Sequence, residues 1–145
     1  MGKDIIYNRS DFTLLITWSL SYMSVDRTTY LLYGFKFTSE EEMDKLDEHY
    51  EELVEKEPYR LIFNDQSSDQ ITVWDGMCGE YIYVGIRIAE IDGVYSGEEG
   101  YVEISEKDLE NLKPRLDGYM ESWPPYLLDL CRDHEPKLYL FVHIW

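Results

Sequence analysis

Three histidines, two cysteines and thirty carboxylates are the groups with which this 145-residue chain could do chemistry. His49, His134 and His143 stand alone in sequence, with no H-E-x-x-H, H-x-x-H or C-x-x-C spacing to hold a metal. Cys78 sits between the carboxylates Asp75 and Glu80, poor surroundings for a thiolate nucleophile, and with Cys131 it is too few for a disulfide framework. Asp65-Gln66-Ser67-Ser68-Asp69 lacks the glycine and terminal glutamate of an EF-hand loop, and Gly76, Gly79 and Gly85 form neither G-x-G-x-x-G nor a Walker pattern. No catalytic residue, metal or cofactor is assigned, and the reading leans away from an enzyme.

The carboxylates carry more information, because they are clustered. Thirty acids against thirteen bases leave a formal charge of −17. Residues 38–57 hold ten acids and two lysines, and residues 92–110 hold seven acids and one lysine, so 39 residues carry −14 of that charge. In the first block, Glu40, Glu41, Asp44, Asp47, Glu48, Glu51, Glu52 and Glu55 fall on or beside the outward side of a predicted helix. Over about 18 residues at ~1.5 Å rise, that helix carries one net charge per ~3.4 Å, the linear density of one DNA strand. Like charges at i,i+4, such as Asp44–Glu48 and Asp47–Glu51, each cost a helix roughly 0.2–0.5 kcal/mol, so a merely solvated helix would do better with mixed signs. In the second block Glu98, Glu99 and Glu103 accompany Tyr95 and Tyr101, aromatics of the kind that anchor protein interfaces.

The elements that must position these groups follow from periodicity. Leu14, Ile16, Trp18, Leu20 and Tyr22 alternate with polar residues, and Thr28–Phe37 resumes the alternation, which predicts an antiparallel hairpin. Ser39 with Glu42 three residues on is a capping box, and the stripe Met43, Leu46, Tyr50, Leu53, Val54 predicts one helix over about 40–56, ended by Pro58. Tyr59–Asn64, Ile71–Asp75, Tyr81–Ile91, Val94-Tyr95, Tyr101–Ile104 and Lys137–Trp145 read as strands. Ser105 opens a second helix over about 106–123, which Pro114 should kink or split, and Tyr126–Arg132 adds a further turn or two. The expected fold is α+β, a mainly antiparallel sheet with two main helices, in a single domain over 1–145.

A 44% apolar fraction with 15% aromatics excludes disorder despite the charge. The early Asp4 and the interruption of Phe12–Leu20 by Thr13, Thr17 and Ser19 argue against a signal peptide or membrane span, so the expected compartment is the cytoplasm. A charge of −17 opposes direct binding to nucleic acid or to an anionic membrane. The expected activity is that of a non-enzymatic inhibitor whose acidic surfaces meet a basic protein surface, that of a nucleic-acid-binding protein, by mimicking nucleic acid. In general character the chain is similar to phage-encoded anti-restriction and anti-CRISPR proteins and to nuclease immunity proteins, with no shared motif. Two alternatives remain: a small-molecule-binding domain or enzyme with a pocket lined by Trp74, Tyr83 and His143, and an oligomeric structural component pairing through the edge of its last strand.

Overall fold

The computed structural model describes residues 2–8, 13–19, 27–65, 67–92 and 99–144, with the backbone alone at 2–8, 13–19, 92 and 99–101. In chain order the elements are β1 (Gly2–Asn8), β2 (Thr13–Ser19), β3 (Arg27–Phe37), α1 (Glu40–Asp47), a π-helical turn (Glu51–Glu55), α2 (Tyr59–Phe63), β4 (Gln70–Trp74), β5 (Ile82–Asp92), β6 (Glu99–Ile104), α3 (Glu106–Met120), α4 (Pro125–Cys131) and β7 (Lys137–Ile144). They build an α+β fold with two antiparallel sheets, ordered β4-β5-β3-β7 and β1-β2-β6.

Alternation along β3 and β5 divides the larger sheet into two apolar faces. Phe35, Phe37, Ile82, Val84 and Ile86 meet Met43, Leu46, Leu53, Phe63, Leu116, Trp123 and Leu127, so one face is roofed by helices. Tyr30, Leu32, Val73, Tyr83 and Phe141 form an aromatic cluster on the other, with Tyr83 stacked on Phe141 at 3.7 Å between centroids. Gly34 and Gly85 face each other at the centre, where a Cβ on Gly34 would lie 2.2 Å from the Val84 carbonyl oxygen. Only glycine tolerates that approach. A third cluster, Leu31 and Ile104 with Leu109 and Leu140, joins β6 and α3 to the larger sheet.

Four expectations need correction. Among the described residues β2 pairs with β1 and β6 rather than with β3, so the predicted pairing of β2 with β3 is not made. Period two marks which side chains share a face but is silent about which strand lies alongside. Tyr59–Phe63 is a helix, not a strand, opening at Pro58 and burying Phe63 while Tyr59 and Ile62 pack against the core. The 40–56 helix is not continuous: α1 ends at Asp47, and the π turn follows, closed by the Lys56 N–H on the Glu51 carbonyl at 3.0 Å. The like-charge pair Asp47–Glu51 spans that break, whereas the Glu48 N–H still donates to the Asp44 carbonyl at 3.1 Å. Leu46 and Leu53, seven residues apart and so on one helical face, are both fully buried, while Tyr50 of the same stripe is 40% exposed. Finally, α3 runs unsplit through Pro114 to Met120; Leu112 and Leu116 hold it to the core on either side of the proline, and Trp123 lies beyond its end.

Candidate functional site

Helix packing decides which acids meet. Met43 and Leu46 turn one side of α1 into the core, leaving Glu40, Glu41, Asp44, Asp47 and Glu48 exposed. Pro125 starts α4, whose Leu127 and Cys131 also face inward, and this exposes Asp129 and, just past the helix, Asp133. Between the two helices lies a groove of about 580 Å³ lined by Glu41, Glu42, Glu48, Asp129 and Asp133, with Lys45 and His49. Lys45 pairs with Glu41 at 3.3 Å and Arg132 with Asp129 at 2.7 Å, both at exposed positions where such pairs hold little energy. Five carboxylates against those two cations leave the groove at −3.

Glu42 is the structural member of the set. The Glu42 N–H donates to Ser39 Oγ at 3.2 Å, the predicted N-cap, while the Ser39 hydroxyl donates to Glu42 Oε1 at 2.7 Å. The other carboxylate oxygen lies 2.5 Å from His134 Nε2, tying α1 to the end of α4. Burial works to raise this carboxyl, but the bonds from His134 and Ser39 outweigh it and hold the group below its ordinary value. His49 lies flat on Tyr126, centroids 3.6 Å apart, with Nδ1 3.5 Å from Glu52, a packing role. Of the remaining predicted residues, Glu51 is exposed and pairs with Lys56 at 3.2 Å, Glu52 is half-buried and Glu55 is exposed.

The second acidic block is differently placed. Tyr95 and Glu98 lie outside the described residues, and Glu99 and Tyr101 are placed in β6 by backbone alone, opposite Ser19 and Thr17. Glu103 is exposed, and with Asp108 it lines a separate groove that also holds Arg87, Arg115 and Asp69. Arg115 pairs with Asp69 there, and Arg87 Nη1 pairs with Glu90 at 3.1 Å. Positive charge from other segments therefore sits among these acids, more than in the α1/α4 groove. Asp129 and Asp133 escape sequence reasoning because residues 111–145 sum to only −1. Helical phasing around Leu127 and Cys131 is the one signal that could have shown them facing outward.

A third concavity, a cleft of about 680 Å³, lies at β4, where Tyr50 meets Trp74 edge to face at 4.9 Å. Trp74 and His143 line it but Tyr83 does not, since that ring is taken up by the aromatic cluster. His143 is 2% exposed, with Nδ1 2.8 Å from the Tyr81 hydroxyl; burial lowers its pKa, and Asp75 only partly opposes that. Thr72, 6% exposed, also lines the cleft, and neither its Oγ1 nor Trp74 Nε1 has a hydrogen-bond partner among the described residues. An unpaired buried hydroxyl costs about 1–3 kcal/mol.

Among the described residues no group of three or more His, Cys, Asp or Glu is placed to hold a metal ion, and no helix is long and apolar enough to cross a membrane. Burial, with Glu42 nearby, pushes the Cys131 thiol up to about 12, whereas Cys78 is exposed. No family model, curated protein or solved structure matches the chain.

Proposed function

We propose that this protein is a non-enzymatic inhibitor that binds the basic surface of a nucleic-acid-binding protein through the acidic α1/α4 face and competes there with nucleic acid. The observation that carries the reading is convergence: α4 sets Asp129 and Asp133 beside Glu41, Glu42 and Glu48, concentrating carboxylates from two distant parts of the chain in one open groove. Such a groove focuses negative potential, which speeds encounter with a Lys/Arg-rich surface and repels nucleic acid itself. Glu40 and Asp44 extend the exposed acid along α1, and Glu51 and Glu55 continue it past the break. The β6/α3 acids, interleaved with Arg87 and Arg115, belong to a secondary contact at most. The proposed compartment is the cytoplasm, as the sequence leads one to expect, where nucleic-acid-binding proteins are at hand.

Capture from lysate on the immobilised protein tests the proposal. The expected result is retention of nucleic-acid-binding proteins at low salt, their release near 1 M salt, where the Debye length is ~3 Å, and their elution by duplex DNA. A variant carrying Glu41→Lys, Asp44→Lys, Glu48→Lys and Glu51→Lys, folded by circular dichroism, should retain none of them. Capture that survives high salt or the four reversals refutes the acidic face as the contact.

A further inference from the structure

The cleft at β4 opens beside the end of α1, and its walls combine aromatic rings with carboxylates. We infer that it is a receptor for one cationic side chain, the guanidinium or ammonium of an arginine or lysine presented by a basic partner. This inference rests on the proposed function and deepens it.

Tyr50 and Trp74, their planes at 84°, make two walls of a corner, and ring faces attract organic cations. Asp47, Asp65 and Asp75 lie around the corner in the same lining. The arginine of that lining, Arg87, directs Nη1 to Glu90 at 3.1 Å and Nη2 to the Ser68 carbonyl at 2.7 Å, so its charge is spent locally. Asp65 accepts from Ser67, and Asp75 accepts the N–H groups of Met77, Cys78 and Glu80, which fixes both carboxylates in place. Asp47, by contrast, is exposed at the last residue of α1 and links the cleft to the acidic face.

Hydrogen-bonding capacity in the wall points the same way. Among the described residues Thr72 Oγ1 has no donor and Trp74 Nε1 no acceptor. An arginine residue carries both, N–H groups on its head and a carbonyl on its backbone. Met77, 67% exposed at the rim, offers a flexible apolar surface for the methylene stem. An anion would face three carboxylates, and a purely apolar ligand would leave them and the unpaired hydroxyl unmet.

The test uses the whole protein and N-acetyl-arginine amide, with the neutral isostere N-acetyl-citrulline amide as control. The readout is the indole N–H resonance of Trp74, assigned with Trp74→Phe. Arginine amide should shift it saturably between about 1 and 100 mM, and citrulline amide should not. Asp47→Asn, at an exposed position, should weaken binding about fivefold at unchanged melting temperature, and Tyr50→Ala should weaken it about fivefold in a protein that is still folded by circular dichroism. Glu48→Lys with Asp133→Lys, in the other groove, should leave it unaltered. Equal shifts with citrulline amide, or no shift with arginine amide, overturn the cleft assignment and leave the acidic-face reading standing on its salt test. Saturable arginine binding without any salt-sensitive capture sustains the cleft and sinks the acidic face.

Discussion

Reversing two charges that only the tertiary structure brings together separates the α1/α4 groove from acid in general. Glu48 and Asp133 are exposed, line that groove and have no ion-pair partner among the described residues, so Glu48→Lys with Asp133→Lys moves its charge from −3 to +1 without breaking a contact. A unit charge on a ligand at ~8 Å interacts in water by about 0.5 kcal/mol per groove charge, so four units amount to about 2 kcal/mol before screening. A Debye length of ~8 Å at physiological salt reduces that to about a third, whereas ~30 Å at 0.01 M leaves most of it. Binding of an arginine-rich peptide should therefore weaken about fourfold at physiological salt and about fifteenfold at 0.01 M, per interacting peptide charge. Fluorescence polarisation of a labelled peptide measures both, with thermal melts to establish that the variant is folded. Reversing Glu106 and Glu110 on α3, outside the groove, is the control and should cost less than half as much. Equal weakening at the two salts, or wild-type affinity in the double variant, refutes the groove as the contact face.

Glu42→Gln should lower stability by about 1 kcal/mol at neutral pH, a charge-assisted bond discounted for partial exposure. Because the folded-state carboxyl is held below 4.5, its contribution is complete above that pH and disappears as pH falls through the lowered value; urea titrations from pH 7 to 3 should show the variant converging on the parent. Gly34→Ala should cost at least about 1–3 kcal/mol or prevent folding, since its Cβ meets backbone at 2.2 and 2.7 Å; an unchanged denaturation midpoint contradicts the close strand approach. Leu116→Ala, at a fully buried position, should cost about 2–5 kcal/mol, while Leu61→Ala, 45% exposed, should stay within about 0.5 kcal/mol, both read by urea denaturation. Iodoacetamide at pH 8 should label Cys78 in the native protein and Cys131 only in denaturant, as mass spectrometry would report; native labelling of Cys131 contradicts its burial.

Amino-acid pattern alone determined the α+β class, the strands β3, β5 and β7, the Ser39 and Ser105 caps and the outward acids of α1, because each depends on neighbours within a few residues. Strand partnership was decided elsewhere. The alternation in Thr13–Ser19 suits any apolar face, and β6, some eighty residues on, became its neighbour in place of β3. The end of α1 at Asp47 was not visible in the stripe, because Leu46 and Leu53 share a face with or without a break, and neither was the place of Tyr50 on the rim of a cleft instead of in the core. Charge summed along the chain hid Asp129 and Asp133, because nearby bases cancel them in one dimension. A groove is a local object in three dimensions, and its potential depends on which carboxylates packing brings within a Debye length of one another.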